Sequence, residues 1–194
     1  MSRLTPPNVR SLHSRMVGVV GLGQIGMAVA RLFTANGATV CYADPSPRDA
    51  AAAARAGIER LDLDDLLTRC DVVTLHVPLL PATRGLLGHD RLRRMPQGAL
   101  LVNASRGGVV DEDALARALA DGHLGGAALD VYREEPPKPD SPLLTLDEDV
   151  AERVLYTPHI AGVAYEAARS LYTQAWANVH RVLVEGKPAE NQVS

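Results

Sequence analysis

A short apolar run that ends in a cluster of glycines constrains this chain more than any other feature. Residues 16–20 read Met-Val-Gly-Val-Val, and Gly21-Leu22-Gly23-Gln24-Ile25-Gly26 follow at once. A continuous apolar run of that length suits a strand buried on both faces, as in a parallel sheet. Residues 24–36 then show helical periodicity, with Ile25, Val29, Leu32 and Phe33 on one face. Gly37 stands where a helix end takes a left-handed residue. In such a strand–turn–helix unit the first glycine permits the tight turn, the second lets the backbone approach a diphosphate, and the third lets the helix pack close to the strand. The N–H groups of the helix's first turn then face the phosphates.

Glycines also cluster in ordinary turns, so the context decides. Asp44 closes the next expected strand, 38–43, at the distance where an acid accepts hydrogen bonds from adenine-ribose hydroxyls. Gly21, Gly23, Gly26 and Asp44 are therefore expected to bind a dinucleotide. A carboxylate accepts from a free 2′-hydroxyl and repels a 2′-phosphate, which favours NAD. Pro45, Ser46 and Pro47 separate Asp44 from Arg48, which keeps NADP as the lesser alternative.

The alternation continues downstream. Strands are expected over 71–77, 99–103, 126–131 and 154–157, and helices over 48–56, 61–69, 89–95 and 111–121. Asp62, Asp64 and Asp65 crowd the start of the 61–69 helix, where acids suit the positive end of the helix dipole. Residues 132–142, rich in Pro, Glu and Lys, read as a loop. A long helix over 164–185 is ended by Gly186 and Pro188. This pattern predicts an α/β fold: a Rossmann-type doubly wound parallel sheet, helices on both faces and right-handed crossovers, plus a long C-terminal helix. The expected organisation is an N-terminal segment 1–15, a dinucleotide-binding domain 16–162, and a C-terminal helix and tail 163–194.

Composition excludes more than it identifies. The net charge is -3, without a long run of one sign, which argues against a nucleic-acid surface. Cys41 and Cys70 form no CxxC and no zinc spacing, so no metal site is expected. They read as small buried hydrophobes in a reducing compartment. Residues 1–15 are polar, with Pro6 and Pro7, and lack the apolar core of a signal peptide. The most apolar stretch, 16–30, is broken by glycines and is shorter than a membrane span. The expectation is a cytoplasmic protein with no membrane and no nucleic-acid partner.

Three polar residues fall just beyond the carboxyl ends of later expected strands, where open α/β sheets bind ligands. These are Arg106, Glu135 and His159. Singly, each fits a plain structural role: a charge in a glycine turn, an acid in a solvated loop, a cap on the long helix. Together they suit oxidation of a secondary alcohol. Imidazole, with an ordinary pKa of about 6.5, can take the hydroxyl proton. A carboxylate beside it fixes the tautomer and favours the imidazolium. A guanidinium offers a planar, permanently charged fork to a carboxylate or carbonyl.

The motifs around these residues resemble those of the D-isomer-specific 2-hydroxyacid dehydrogenases. Val102-Asn103-Ala104-Ser105-Arg106-Gly107-Gly108-Val109-Val110-Asp111 is similar to the family's arginine signature. Ala128-Leu129-Asp130-Val131-Tyr132 with Glu134-Glu135-Pro136 is similar to its aspartate and glutamate segment. Thr157-Pro158-His159-Ile160-Ala161-Gly162 is similar to its histidine segment, and Thr74-Leu75-His76-Val77-Pro78-Leu79 to a stretch that lines its cofactor cleft. The resemblance implies that Arg106 binds substrate carboxylate and carbonyl, that His159 is the acid/base, and that Glu135, directly before the proline, is its partner. It implies that Asp130 holds the nicotinamide carboxamide, with Gln24 and Ile25 on the pyrophosphate. His76, Val77, Pro78, Thr83, Ala104, Ser105 and Gly162 would border the cofactor.

Family members usually carry a long segment ahead of the glycine-rich turn, which forms most of a substrate domain. Here that turn starts at residue 21. The resemblance therefore implies an NAD-dependent oxidoreductase acting on a small 2-oxo or 2-hydroxy acid, weakly active on its own, and a homodimer. The alternatives are a non-catalytic NAD-binding module and a dimerisation module.

Overall fold

The computed structural model describes residues 11–47 and 49–190. The chain divides into two compact units, Met1–Pro158 and His159–Ser194. The first holds seven strands: β1 (Met16–Val20), β2 (Thr39–Ala43), β3 (Glu59–Arg60), β4 (Val72–Leu75), β5 (Ala99–Asn103), β6 (Leu124–Leu129) and β7 (Val154–Tyr156). Its helices are α1 (Gln24–Ala35), α2 (Ala50–Arg55), α3 (Leu63–Arg69), α4 (His89–Arg94), α5 (Glu112–Ala120) and α6 (Glu148–Ala151), after a 3-10 turn at Leu12–Ser14. Every strand pairing is parallel, in the order β3-β2-β1-β4-β5-β6-β7. This is the expected doubly wound sheet. The chain winds outward from β1 through β2 and β3, then crosses over to β4, and that reversal opens a crevice at the carboxyl ends of β1 and β4.

Alternate residues of a strand face opposite sides. Val17 and Val19 pack into an apolar cluster with Met27 and Ala30 of α1 and Ala52 and Ala53 of α2. Val20 points into a second cluster, with Leu66 and Leu67 of α3, Leu92 of α4, and Leu115 and Leu119 of α5. Cys41 and Cys70 lie in this second cluster as buried free thiols, with their sulfurs 3.3 Å apart. The hydrogen bond from its neighbour and burial push the Cys70 thiol up. Two helices start on side-chain caps: Asp49 accepts from the Ala52 N–H at 2.8 Å, and Asp111 from the Ala114 N–H at 3.0 Å.

Several details differ from the sequence expectation. Helix α1 does not bury Ile25 and Leu32, which are 70% and 65% exposed. Its packed face is Gly26, Met27 and Ala30, backed by Phe33, because small side chains let the helix lie close on the sheet. Asp62 occupies the N-cap of α3 rather than its first turn. Strand β6 starts and ends two residues earlier than 126–131, and β4 is shorter than 71–77. The short strand β3, the single-turn α6 and the Leu12–Ser14 turn carry too few residues to show periodicity. Residues 1–10 of the expected N-terminal segment, and Arg48 at the start of the 48–56 helix, lie outside the described residues.

The second unit is dominated by α7 (Tyr165–Leu183), which buries none of its residues. Tyr165, Tyr172, Trp176, Val179 and Leu183 are all exposed and share one face. Beyond Gly186 the chain doubles back. Asn178 exchanges two hydrogen bonds with the backbone of Glu190, and Arg181 donates to the Pro188 carbonyl at 2.7 Å. Among the described residues, no helix is long and apolar enough to cross a membrane.

Candidate functional site

The crevice at the β1/β4 crossover is built from backbone. Gly21 has φ 91°, and its N–H donates to the Ala43 carbonyl at 2.9 Å, tying the turn to the tip of β2. A Cβ on Gly21 would stand 2.6 Å from the His76 carbonyl oxygen, and one on Gly26 would overlap the Gly21 carbonyl. These contacts explain why the turn demands glycine: α1 starts in direct contact with the strand that feeds it. By contrast, nothing lies within 4 Å of the position a Gly23 Cβ would take. Gly23 is the N-cap of α1 and makes no side-chain cap bond. A crowded floor beneath an open, uncapped helix start fits a diphosphate.

Asp44 closes the crevice on the β2 side. Its Oδ2 accepts from the Leu22 N–H at 2.6 Å and its Oδ1 from the Ser46 N–H at 2.7 Å. The carboxylate thus bridges the glycine turn and its own turn. Gly21, Gly23, Gln24, Ile25, Gly26, Asp44, His76, Val77 and Pro78, nine of the sequence-selected cofactor residues, line one cleft of about 380 Å³ with Leu22 and Ser46. Ile25, exposed on α1, is part of that lining. On the β4 side, His76 Nε2 lies 3.0 Å from the buried Thr74 hydroxyl, and burial pushes the imidazole pKa below its ordinary value. Thr83 closes its own loop, donating to the Pro78 carbonyl and accepting from the Leu80 N–H.

Arg106 and Glu135 stand beyond the tips of β5 and β6. Buried Asn103 ends β5 and shapes the arginine turn. Its Oδ1 accepts from both the N–H and the hydroxyl of Ser105, and its Nδ2 donates to the Arg106 carbonyl at 3.1 Å. Ser105 is therefore buried and its hydroxyl bonded within the protein, whereas Ala104 and Arg106 are exposed. Arg106 Nη1 donates to the Ser105 carbonyl at 2.6 Å. A Cβ on Gly107 would overlap the Tyr132 carbonyl, so the arginine turn is packed against the glutamate loop.

That loop is anchored at several points. The Tyr132 N–H donates to Glu135 Oε1 at 3.0 Å, and the Arg133 N–H donates to Oε1 of the buried Glu112 at 2.5 Å. The Tyr132 hydroxyl donates to the Leu129 and Thr157 carbonyls, and burial, then the Asp130 charge, push that phenol up. Asp130 is 5% exposed and accepts from the Thr157 hydroxyl at 2.6 Å. The structure thus gathers Arg106, Glu135 and Asp130 at the carboxyl ends of two adjacent strands. His159 and Gly162 belong to the second unit. His159 has φ 56°, the one positive value outside glycine among the described residues. A histidine held in that left-handed region is uncommon and marks a position fixed for function or for a turn.

Sequence reasoning passed over Asn103, Glu112 and Tyr132 as functional supports. The signal for Asn103 was an amide at a strand end, and for Glu112 an acid in the first turn of a helix. Both patterns are common on surfaces, and only burial distinguishes them here. No group of three or more His, Cys, Asp or Glu side chains that could hold a metal occurs among the described residues.

A parallel sheet wound in both directions from β1, with glycines and an acid at the crossover, defines a dinucleotide-binding α/β protein. Residues 3–161 match the family model described as D-isomer specific 2-hydroxyacid dehydrogenase, NAD binding domain. The chain belongs to that family. It is 41% identical over 185 residues to a D-3-phosphoglycerate dehydrogenase of Methanocaldococcus jannaschii, covering 94% of this chain and 34% of the relative. Among solved structures, a D-lactate dehydrogenase from Aquifex aeolicus complexed with NAD and lactic acid superposes with a TM-score of 0.81 at 32% identity, covering 91% of this chain and 55% of that one. A D-isomer specific 2-hydroxyacid dehydrogenase from Xanthobacter autotrophicus Py2, in complex with NADPH and MES, gives 0.81 at 35% identity, covering 95% and 73%. The chain therefore spans about a third of the first relative and about half of the second.

Proposed function

We propose that this chain is the NAD-binding half of a D-2-hydroxyacid dehydrogenase, built to bring a dinucleotide beside a small 2-hydroxy or 2-oxo acid. The observation that carries the reading is the cleft at the β1/β4 crossover, where the open start of α1 and the locked Asp44 carboxylate meet. NAD is preferred over NADP because that carboxylate would meet a 2′-phosphate with like charge. Bound NAD would supply the hydride acceptor, and NADH the donor. Arg106 binds the substrate carboxylate and polarises its C2 oxygen. His159 would take the hydroxyl proton in one direction and return it in the other. Asp130, fixed by Thr157, holds the nicotinamide amide.

Hydride transfer needs a water-excluded site with the reacting atoms closely placed. Arg106 and Glu135 are both exposed in this chain. The purified chain is therefore expected to bind NADH while reducing 2-oxo acids poorly. Titration of NADH followed by fluorescence, then NADH consumption with glyoxylate, pyruvate and hydroxypyruvate, tests both parts. Failure to bind NADH at millimolar concentration would remove the reading. Binding without any consumption would favour a non-catalytic NAD-binding module.

Two further parts of the reading concern context. A homodimer is supported by the apolar face of α7 and by Leu100 and Leu155, which stand exposed on β5 and β7. Light scattering that gives one chain per particle at every concentration would count against it. A reducing cytoplasm suits two buried free cysteines, and fractionation of the source cells checks it.

A further inference from the structure

We infer that Arg60, on the edge strand β3, is a positioning residue for cofactor selectivity. The inference rests on the dinucleotide-binding reading and assigns it a component outside the cleft lining. Arg60 is paired in register with Tyr42 of β2, two residues before Asp44. From there its Nη2 donates to the Asp44 carbonyl at 3.0 Å and to the Pro45 carbonyl at 3.3 Å. It grips the backbone of the very turn whose carboxylate selects the ribose.

That turn has little else to hold it. Pro45 and Pro47 have no N–H, so Ser46 is the single backbone donor between Asp44 and Arg48. Ser46 spends its N–H on Asp44 Oδ1. Among the described residues, Arg60 is the sole hydrogen-bond donor to the Asp44 and Pro45 carbonyls. The Asp44 side chain must reach back to the Leu22 N–H while its own turn stays folded. A guanidinium suits this task, because the two N–H groups on its Nη2 can each meet one of the converging carbonyls. With the strut removed, the 44–46 turn gains freedom and the carboxylate no longer stays aimed at the ribose hydroxyls. It then also loses its fixed opposition to a 2′-phosphate. Among the described residues, Arg60 makes no hydrogen bond to the glycine turn, so the diphosphate grip should survive its loss.

The test is a comparison of dissociation constants for NADH and NADPH, by fluorescence titration of the whole chain, for the wild type, Arg60→Ala and Arg60→Lys. Arg60→Ala is expected to weaken NADH roughly fivefold to tenfold and to leave NADPH unchanged or slightly tighter. The NADH-over-NADPH ratio should therefore fall about tenfold, which is about 1.4 kcal/mol. Arg60→Lys should recover part of the ratio, since its ammonium keeps donors for the carbonyls but sits on a differently shaped stem. Melting temperature is measured alongside, and an exposed arginine should leave it nearly unchanged. An unaltered ratio, or equal weakening of both cofactors with a lowered melting temperature, would overturn the assignment. Selective loss of NADPH binding would also overturn it and make Arg60 a phosphate ligand. If the wild type binds neither dinucleotide, the underlying reading fails first, and that outcome is read before any variant is made.

Discussion

The two halves of the sheet are finished to different degrees. Strands β1, β2 and β4 are buried on both faces along almost their whole length, and their tips are joined by backbone hydrogen bonds and by Asp44. Strands β5 and β7 are only partly covered on one face, leaving Leu100 and Leu155 at 44% and 64% exposure. The cofactor end accordingly looks inward, with a glycine turn too tight for a side chain at Gly21 or Gly26. The Arg106 and Glu135 end looks outward, on loops whose charged groups stand in solvent. The difference teaches that the glycine turn and Asp44 are fixed by contacts within this unit, whereas Arg106 and Glu135 stand in solvent.

The comparison breaks most severely at Gly26. A valine there drives its Cβ into the Gly21 carbonyl, backbone against backbone, with no flexible side chain to yield. Overpacking of this kind costs about 1–3 kcal/mol or more. Gly26→Val is expected to abolish NADH binding and to lower the melting temperature by several degrees, measured by fluorescence titration and calorimetry. Unchanged binding would show that the turn is looser than its contacts imply. Arg106→Ala should do the opposite. NADH affinity should stay within about twofold, while whatever 2-oxo acid reduction the chain supports falls on the order of 100-fold, the scale of a lost transition-state donor. A loss of NADH affinity as large as that of Gly26→Val would erase the division between the two ends.

Much of this division was legible in the sequence. The apolar run at β1, the glycine spacing and Asp44 read together because each has a fixed place in one local unit of about thirty residues. The helices showed through their periodicity. What was lost depended on how distant segments meet. Ile25 and Leu32 looked like the packing face of α1, yet Gly26 and Ala30 won, since a helix resting on a sheet gains more from close approach than from bulk. Arg60 sits in a two-residue strand that has no period to detect. Glu112 looked like any first-turn acid until the fold buried it against the Arg133 N–H. Arg106, Glu135 and His159 were picked out by their place beyond strand ends and then by the motifs around them, and their solvent exposure could not be read from residue types.

Thr157 lies on the β5–β7 side of the comparison. Its hydroxyl donates to the buried Asp130 carboxylate at 2.6 Å, across the tips of β6 and β7. Thr157→Val keeps the shape and removes the donor. A buried carboxylate that loses a partner costs about 1–3 kcal/mol, so the melting temperature should fall by a few degrees. NADH should bind severalfold more weakly if Asp130 holds the nicotinamide amide. A drop in stability with no change in NADH affinity would confine Asp130 to a structural role.

The smallest effect expected is one of pH, and it asks how dry the cofactor end is. Burial lowers the His76 pKa, so the folded protein takes up that proton less readily than the unfolded chain, whose histidine titrates near 6.5. The stabilising contribution of neutral His76 is therefore fully present above about pH 6.5 and is lost as pH falls below that value toward the folded pKa. His76→Gln keeps a polar group opposite the Thr74 hydroxyl but cannot titrate. The melting temperature of the wild type should fall more steeply than that of the variant between pH 7.5 and 5, so the two curves draw together toward acid. Parallel curves would mean that water reaches the imidazole, and the cofactor cleft would then be as open to solvent as the Arg106 end.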